Sequence, residues 1–211
     1  MELVDILEPP TFKKSGIAKP RNEAISAGDW IGTFNLWIVQ TKPISSVIYQ
    51  IRSPNSSWAP DLLDVTAGGH YQAGEEIMDG LREVEEELGK KYEKDDLHYL
   101  GRKVHISPDV HGHERHNIVE IFITEDNSSL STYKLESNEV YAVCACPINE
   151  LIKVHTENSY LFEVEVVISS GDKKIVKVTK DSFPYNWDNY HFKIALLAQR
   201  YVNGETNLVY Y

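Results

Sequence analysis

The stretch TAGGHYQAGEEIMDGLREVEEELGK, residues 66–90, decides the fold of this chain. Its second half has a helical pattern over residues 82–89, in which Glu86 and Glu87 lie three and four positions after Glu83. Side chains at this spacing are neighbours on a helix, where like charges cost about 0.2–0.5 kcal/mol per pair. The repulsion among three such carboxylates must be offset by positive charge. The sequence therefore predicts a divalent cation beside this face of the helix.

The same helix presents an apolar stripe that we expect to be buried. Gly89 stands where helices commonly end, since glycine readily adopts the left-handed conformation of a helix C-cap. A short strand predicted over residues 62–66 precedes the segment, so the whole stretch forms a strand, a loop and a helix. The predicted stripe consists of Ile77, Leu81, Val84 and Leu88.

The composition limits what the protein binds. The chain has 211 residues, of which 42% are hydrophobic, and this is enough for a substantial core. Its 32 acidic and 21 basic residues give a net charge of -11, which argues against a nucleic-acid partner and against an anionic membrane surface. A ligand that carries phosphates would therefore need metal ions. We also find no apolar run of membrane-spanning length and no signal-peptide pattern at the N-terminus.

The chain contains two cysteines, Cys144 and Cys146. We expect both on a strand with their side chains on opposite faces, where they cannot easily form a disulfide. Unpaired cysteines are typical of a reducing compartment, and this predicts a cytoplasmic location.

Segments rich in β-branched and aromatic residues predict a series of strands along the chain. Residues 11–29 lack that pattern, and we expect them to form an irregular arm. Strands before and after a central helix, with another helix at the end, predict a mixed sheet between helices, an α/β (α+β) fold. The predicted strands are residues 2–7, 33–39, 46–52, 62–66, 97–106, 117–124, 140–146, 161–168 and 174–178, and the predicted helices are residues 82–89, 147–154 and 187–201.

We expect a single domain over residues 1–211. The hairpin within residues 155–186 is an addition to the core that is expected to cover the site or a partner subunit, which leaves a homodimer open. The predicted parts are an N-terminal strand and arm, a core, and a C-terminal hairpin and helix, at residues 1–30, 31–154 and 155–211.

Residues 68–89 resemble the Nudix box, the motif of the Nudix hydrolases. The box reads Gly, five residues, Glu, seven residues, and then Arg-Glu-aliphatic-x-Glu-Glu-x-Gly-aliphatic. The resemblance implies an α/β/α sandwich that uses Mg²⁺ or Mn²⁺ to cleave the diphosphate bond of a nucleoside diphosphate linked to another moiety. The residues that match the motif are Gly69, Glu75, Arg82, Glu83, Val84, Glu86, Glu87 and Gly89.

The sequence departs from this motif at two places. Six residues rather than seven separate Glu75 from Arg82, and Lys90 occupies the last aliphatic position. A strict count back from Arg82 selects Gly68 for the first glycine, but the string GGHYQAGE favours Gly69 with Glu75. We therefore expect a shortened junction between the loop and the helix.

The resemblance also assigns roles to the charged residues of the box. The metal ions would activate a water molecule that attacks phosphorus. Arg82 would orient the carboxylates while paired with Glu75, and Glu85 would be an ordinary surface charge. The implied metal ligands are Glu83, Glu86, Glu87 and the backbone carbonyl of Gly69.

A general base or further metal ligand is expected outside the box, with Glu114, Glu120 and Glu139 as candidates. Glu120 ranks first, because a carboxylate among the apolar residues of the strand NIVEIFIT is costly unless it is used. Glu139 lies in the stretch SNEVYAV, which resembles the entry to a strand after which many Nudix hydrolases place substrate-binding or base residues.

Four histidines near the stronger strands invite a zinc interpretation. Their spacing does not establish a tetrahedral set, and a polar loop that contacts the substrate is favoured. They are His105, His111, His113 and His116.

The first 150 residues also resemble the Nudix branch that contains the isopentenyl-diphosphate isomerases. Those isomerases carry a cysteine where this chain has Gly68, whereas His70 matches their metal-binding histidine. A metal-dependent hydrolase of a small-molecule diphosphate is therefore favoured over an isomerase, and over a domain that binds a nucleotide without cleaving it. The aromatic side chains that could stack on a base are Trp30, Trp37, Trp58 and Tyr71, with Trp37 favoured as a core residue.

Overall fold

The computed structural model of the chain describes residues 2–108, 112–185 and 187–210. Within these residues, eleven strands form one sheet, which is accompanied by four α-helices. The strands are β1 (Leu3–Glu8), β2 (Lys13–Pro20), β3 (Trp30–Gln40), β4 (Ser46–Arg52), β5 (Leu63–Asp64), β6 (Ala67–His70), β7 (His98–Pro108), β8 (Glu114–Glu125), β9 (Val140–Pro147), β10 (Phe162–Ile168) and β11 (Lys173–Val178). The helices are α1 (Arg21–Ala27), α2 (Leu81–Leu88), α3 (Ile148–Thr156) and α4 (Tyr190–Val202).

The sheet is built around β3. Along one edge β3 pairs in parallel with β8, and along the other it pairs antiparallel with β1, β6 and β4 in turn. Strand β7 continues the sheet beyond β8, while β9, β10 and β11 continue it beyond β4. The predicted mixed sheet is therefore confirmed.

Alternation of side chains along β3 separates two apolar layers. Trp37 and Val39 belong to the layer that contains α3 and α4. Phe34, Leu36 and Ile38 belong to the opposite layer, which contains α2. Helices thus cover both faces of the sheet, which confirms the predicted α/β/α sandwich.

The prediction of an irregular arm over residues 11–29 is wrong. Strand β2 pairs with β1, and α1 packs Ala24 against Val4 and Ile31. The side chains of β2 are exposed or half-exposed, as is usual for a strand at the edge of a sheet. An edge strand of this kind leaves no alternation of apolar residues in the sequence.

The expectation that Cys144 and Cys146 face opposite sides is also wrong. Residues two positions apart on a strand share a face. Both cysteines are buried in the layer of α3 and α4, where their Sγ atoms lie 3.6 Å apart and both thiols are free.

The predicted C-terminal hairpin and helix are present. Strands β10 and β11 pair antiparallel, and α4 packs with α3 in one apolar layer. The sheet contains strands from each of the three parts that the sequence predicts. Among the described residues, no helix has both the length and the apolarity that crossing a membrane requires.

Candidate active site

The short junction of the box is built as a 3-10 turn, Ile77–Gly80, that leads directly into α2. A 3-10 helix has about 3.0 residues per turn, whereas an α-helix has about 3.6. The side chains of the turn therefore do not continue the faces of α2. The Nε atom of Arg82 donates to Glu75 Oε1 at 3.0 Å, and the expected ion pair is therefore present. Ile77 lies on this turn and is 40% exposed, so its assignment to the buried stripe is wrong.

Arg82 holds three carboxylates at once. Besides Glu75, it donates from Nη2 to Glu83 Oε1 at 2.9 Å and from Nη1 to Glu86 Oε2 at 2.7 Å. Glu85 points elsewhere and pairs with Lys91 at 2.7 Å on the surface. The guanidinium thus fixes the directions of the acidic side chains along α2.

Two adjacent glycines let β6 approach its neighbours closely. A Cβ atom on Gly69 would collide with the carboxyl group of Glu83. A Cβ atom on Gly68 would lie 2.5 Å from the carbonyl oxygen of Phe34, and the Gly68 N–H donates to Glu87 Oε2 at 3.0 Å. Position 68 therefore has no room for the cysteine that the isomerases carry.

Two of the acidic groups at this point, Glu83 and Glu87, are unusually buried for carboxylates. Burial raises the pKa of Glu83 to about 7, although Arg82 opposes the shift. Burial also raises the pKa of Glu87 well above its usual range, and the charges of Glu83 and Glu139 add to this effect. Glu139 therefore lies within electrostatic reach of both. A cation placed among these groups would stabilise their ionised forms.

A cavity of about 920 Å³ opens beside this acidic cluster. Strands β7 and β8 contribute side chains from alternate positions, and further residues come from the loop after β4 and from both ends of the chain. Of the candidates, those that line the cavity are Gly69, His70, Arg82, Glu83, Glu86, Glu87 and Glu139. The basic residues that line it are Arg21, Arg52, Arg82, Lys103 and Arg115.

His70 is a neutral ligand candidate at the cavity wall. Burial lowers its pKa to about 3, and the nearby charges of Arg21 and Arg115 act in the same direction. Its Nε2 atom is buried and has no hydrogen-bond partner in the described part of the chain. A neutral imidazole nitrogen can bind a metal ion or accept a hydrogen bond.

This donor set fits a hard divalent cation, which prefers carboxylate and carbonyl oxygens. In the described ranges, no three acidic, histidine or cysteine side chains stand close enough to ligate one ion. Arg82 engages Glu83 and Glu86 in this state. The fit therefore rests on the buried carboxylates and on the unpartnered Nε2 of His70.

Glu120 is not among the described residues that line the cavity, and its role as the general base stays a prediction. Its side chain faces the layer opposite to Asn117 and Val119, which line the cavity. Arg102 donates to its Oε1 atom at 2.7 Å and the Tyr99 hydroxyl donates to its Oε2 atom at 2.6 Å. These two hydrogen bonds satisfy the buried carboxylate within the fold.

The histidines are dispersed. His105 lines the cavity, whereas Nδ1 of His116 lies 2.8 Å from the carbonyl oxygen of Gly28. His113 is exposed, and His111 lies outside the described residues. Glu114 is paired with His116 at 3.2 Å on the surface.

Several cavity residues were missed by the sequence analysis. Lys103, His105 and Ser107 occupy alternate positions of β7, and all three line the cavity. Polar residues at every second position of a predicted strand were the signal that could have found this wall. Arg52 ends β4 just before a loop with two prolines, and its position gave a weaker signal.

The chain also resembles known proteins. It is 29% identical over 192 residues to an uncharacterized Nudix hydrolase of Clostridium acetobutylicum, an alignment that covers 87% of this chain and 91% of that one. The crystal structure of DR0079 from Deinococcus radiodurans matches with a TM-score of 0.56 and 17% identity, over 74% of this chain and 90% of that one. The crystal structure of a MutT/nudix family protein from Enterococcus faecalis matches with a TM-score of 0.51 and 11% identity. This match covers 83% of this chain and 62% of that one. At such identities the structural matches show the fold alone.

The family match identifies the chain. The NUDIX domain matches residues 34–164, which include the whole box and most of the sheet. Nudix hydrolases use divalent metal ions and act on small molecules, in general derivatives of nucleoside diphosphates. With its box, its fold and its acidic cavity, this chain belongs to the Nudix family and is a Nudix hydrolase.

Proposed function

We propose that the protein is a Mg²⁺-dependent hydrolase that cleaves the diphosphate bond of a nucleoside diphosphate linked to another moiety. The observation that carries this proposal is the acidic cluster at the cavity, in which burial and the charge of the exposed Glu139 raise the pKa of Glu83 and Glu87. In a chain with a net charge of -11, such a cluster repels phosphates unless a cation accompanies them.

The residues that would hold the cation are Glu83, Glu86, Glu87 and the carbonyl of Gly69, with His70 beside them. When bound, it would neutralise phosphate charge and lower the pKa of the attacking water. Arg82 would orient the carboxylates through its hydrogen bonds to Glu83 and Glu86.

Glu139 is the proposed general base, since it lines the cavity whereas Glu120 faces away. Its carboxylate would accept a proton from the attacking water as the new bond from oxygen to phosphorus forms. The bond from that phosphorus to the bridging oxygen then breaks, and the second phosphate leaves with this oxygen. The Ser53 N–H donates to the Glu139 carbonyl at 2.9 Å and fixes the backbone of the base.

The substitution Glu86→Gln tests the metal assignment. It keeps the size of the side chain and removes a charge at the cavity. We expect metal-dependent turnover to fall about 100-fold or more, because even outer-shell partners of metal ligands contribute 10–100-fold. Turnover is measured on nucleoside diphosphate sugars, dinucleoside polyphosphates, ADP-ribose, coenzyme A, nucleoside triphosphates and isopentenyl diphosphate, with and without Mg²⁺.

Glu85→Gln is the matched control, since Glu85 lies on the same helix outside the cavity. It should keep wild-type turnover and wild-type Mg²⁺ affinity by calorimetry. Full activity of Glu86→Gln would remove the metal assignment. Isomerisation of isopentenyl diphosphate without hydrolysis of any other compound would overturn the proposed function.

A further inference from the structure

The aromatic side chains of this protein differ in whether they reach the cavity. Trp37 is fully buried in an apolar layer, and Trp30 stacks on His116 with 4.8 Å between ring centroids. The Tyr71 hydroxyl donates to a backbone carbonyl at 3.1 Å, away from the cavity. Of these candidates for base stacking, Trp58 lines the cavity. The structure thus reduces four candidates to one.

The loop that carries Trp58 is fastened to the site. Arg52 donates from Nε to the Trp58 carbonyl at 2.8 Å and from Nη2 to Ser56 Oγ at 2.7 Å. At the start of the loop, the Ser53 N–H donates to the carbonyl of Glu139, the proposed base. The charge of Arg52 also acts on the acidic cluster, where it opposes the rise in the pKa of Glu87. These hydrogen bonds hold the loop that carries the indole in a fixed position beside the proposed base, which lowers the cost of ordering the loop on binding.

Two planar groups that can form hydrogen bonds lie beside the indole. The ring of His105 meets it edge-on at 5.9 Å, and the Arg115 guanidinium carbon lies 6.0 Å from its centroid. Burial lowers the pKa of His105 to about 4, so its neutral ring offers one donor and one acceptor. An aromatic face with donors and acceptors around it suits a heterocyclic base, which stacks by its face and forms hydrogen bonds through its edge.

We propose that Trp58 is the stacking platform for the nucleobase of the substrate and that Arg52 is the positioning residue for its loop. An alkyl group of a ligand would pack on the indole but would form no hydrogen bonds with the polar groups beside it. This proposal rests on the hydrolase function proposed above and adds to it the place where the nucleoside is recognised.

Kinetics on two matched probes test the proposal. ADP-ribose carries a base, and the diphosphate ester of two ribose 5-phosphates keeps the sugars and the diphosphate without one. We expect Trp58→Ala to raise KM for ADP-ribose about 10-fold, as loss of a stacked base does, with kcat within about twofold. The same variant should leave the kinetics of the base-free ester unchanged, and Trp58→Phe should restore KM for ADP-ribose to within about threefold of wild type.

Trp187→Ala is the control, since Trp187 is 66% exposed and is not among the described residues that line the cavity. It should leave both probes unaffected. An equal loss on both probes would place the sugar or the diphosphate at Trp58 and overturn the proposal. Unchanged kinetics of Trp58→Ala on ADP-ribose would overturn it as well, while the proposed function would stand.

A binding measurement separates this proposal from the hydrolase function. Adenosine monophosphate should quench part of the tryptophan fluorescence of wild type and of Trp187→Phe, whereas ribose 5-phosphate should not. The quench should be absent in Trp58→Ala. If wild type shows this pattern but hydrolyses no nucleoside diphosphate derivative, the base subsite is supported and the proposed function fails.

Discussion

At the scale of single residues, Gly68 and Gly69 allow close contacts at the site because neither residue has a Cβ atom. Gly69 faces the carboxyl end of the flexible Glu83 side chain, whereas Gly68 faces the backbone carbonyl of Phe34. The Glu83 carboxyl ends a flexible side chain and can move if it gives up its contact with Arg82, whereas a strand at the centre of the sheet cannot shift without its neighbours. The same small change should therefore have different consequences at these two neighbouring positions.

We predict that Gly69→Ala leaves the fold stable and removes most of the activity. The added methyl group displaces the Glu83 carboxyl from its place beside the backbone. Gly68→Ala, in contrast, should lower the free energy of unfolding by about 1–3 kcal/mol, because an overpacked interior must shift backbone atoms. Urea unfolding and turnover are measured on both variants. Wild-type activity in Gly69→Ala would contradict the close approach to Glu83.

The sequence predicted the positions of the box residues at the cavity better than the position of Glu120. Fixed spacing along one helix places Glu83, Glu86 and Glu87 on one face, and this needs no knowledge of distant segments. The strand that contains Glu120 is apolar on both faces, so the sequence did not show which way the carboxylate points. Its partner Arg102 comes from a neighbouring strand, and such pairing is a long-range property of the fold.

At the scale of elements, the end of α2 explains why Lys90 replaces an aliphatic residue of the box. Gly89 ends the helix at φ 63°, and the Lys90 ammonium then reaches Asp126 at 3.1 Å and Ser128 Oγ at 2.6 Å. It also lies 4.4 Å from the centroid of the Tyr133 ring. A polar network on the turn after α2 thus replaces the apolar contact that the motif provides.

The pH dependence of stability should report on this network. Burial opposes ionisation of Asp126, but hydrogen bonds from Ser128, Tyr92 and Lys90 outweigh it and lower its pKa to about 2. The unfolded value is about 3.9, so the stabilising contribution is complete above that pH and disappears as the pH falls through about 2. Asp126→Asn should therefore cost about 1–3 kcal/mol near neutral pH, and the cost should shrink as acid protonates the wild-type carboxyl.

Urea unfolding at several pH values between 2 and 7 measures this difference. Asp95→Asn, at an exposed position, is the control and should match wild type throughout. If the loss of unfolding free energy caused by Asp126→Asn stayed constant down to pH 2, the hydrogen bonds to the ionised Asp126 would not be the cause of that loss.

The elements that the sequence predicted poorly lack a local signal. Strand β2 carries no alternation, because it lies at the edge of the sheet with its side chains in water. The 3-10 turn before α2 interrupts the helical period, and this interruption removes Ile77 from the stripe that a continuous helix would bury. Both cases reflect tertiary context that propensity and period do not contain.

At the scale of the whole molecule, α4 is tied to the central strand across more than 150 positions of sequence. The Tyr190 hydroxyl accepts hydrogen bonds from Asn35 Nδ2 and from Trp37 Nε1, each at 2.9 Å. Lys103 lies over its ring at 3.8 Å from the centroid. Asn35 and Tyr190 also line the cavity, so this contact joins the core to the site.

We predict that Tyr190→Phe lowers the free energy of unfolding by about 1–3 kcal/mol, because it removes the hydrogen-bond acceptor of the buried Trp37 N–H and of the partly buried Asn35 amide. Tyr185→Phe is the matched control, since Tyr185 is 88% exposed, and it should change stability by less than about 0.5 kcal/mol. Chemical denaturation with tryptophan fluorescence measures both variants. Equal stability of the two would show that the shared hydroxyl contributes nothing to the docking of α4.

The cavity has one further consequence for how this enzyme could change. The glutamates proposed as metal ligands and base lie within residues 34–164, the part that matches the family, whereas Arg21, Pro184 and Tyr190 line the cavity from outside that range. The proposed bond-breaking groups and part of the cavity wall are thus encoded in separate stretches of the gene. Chimaeras that exchange only the chain ends between relatives would alter which molecules are accepted while the hydrolytic apparatus stays intact.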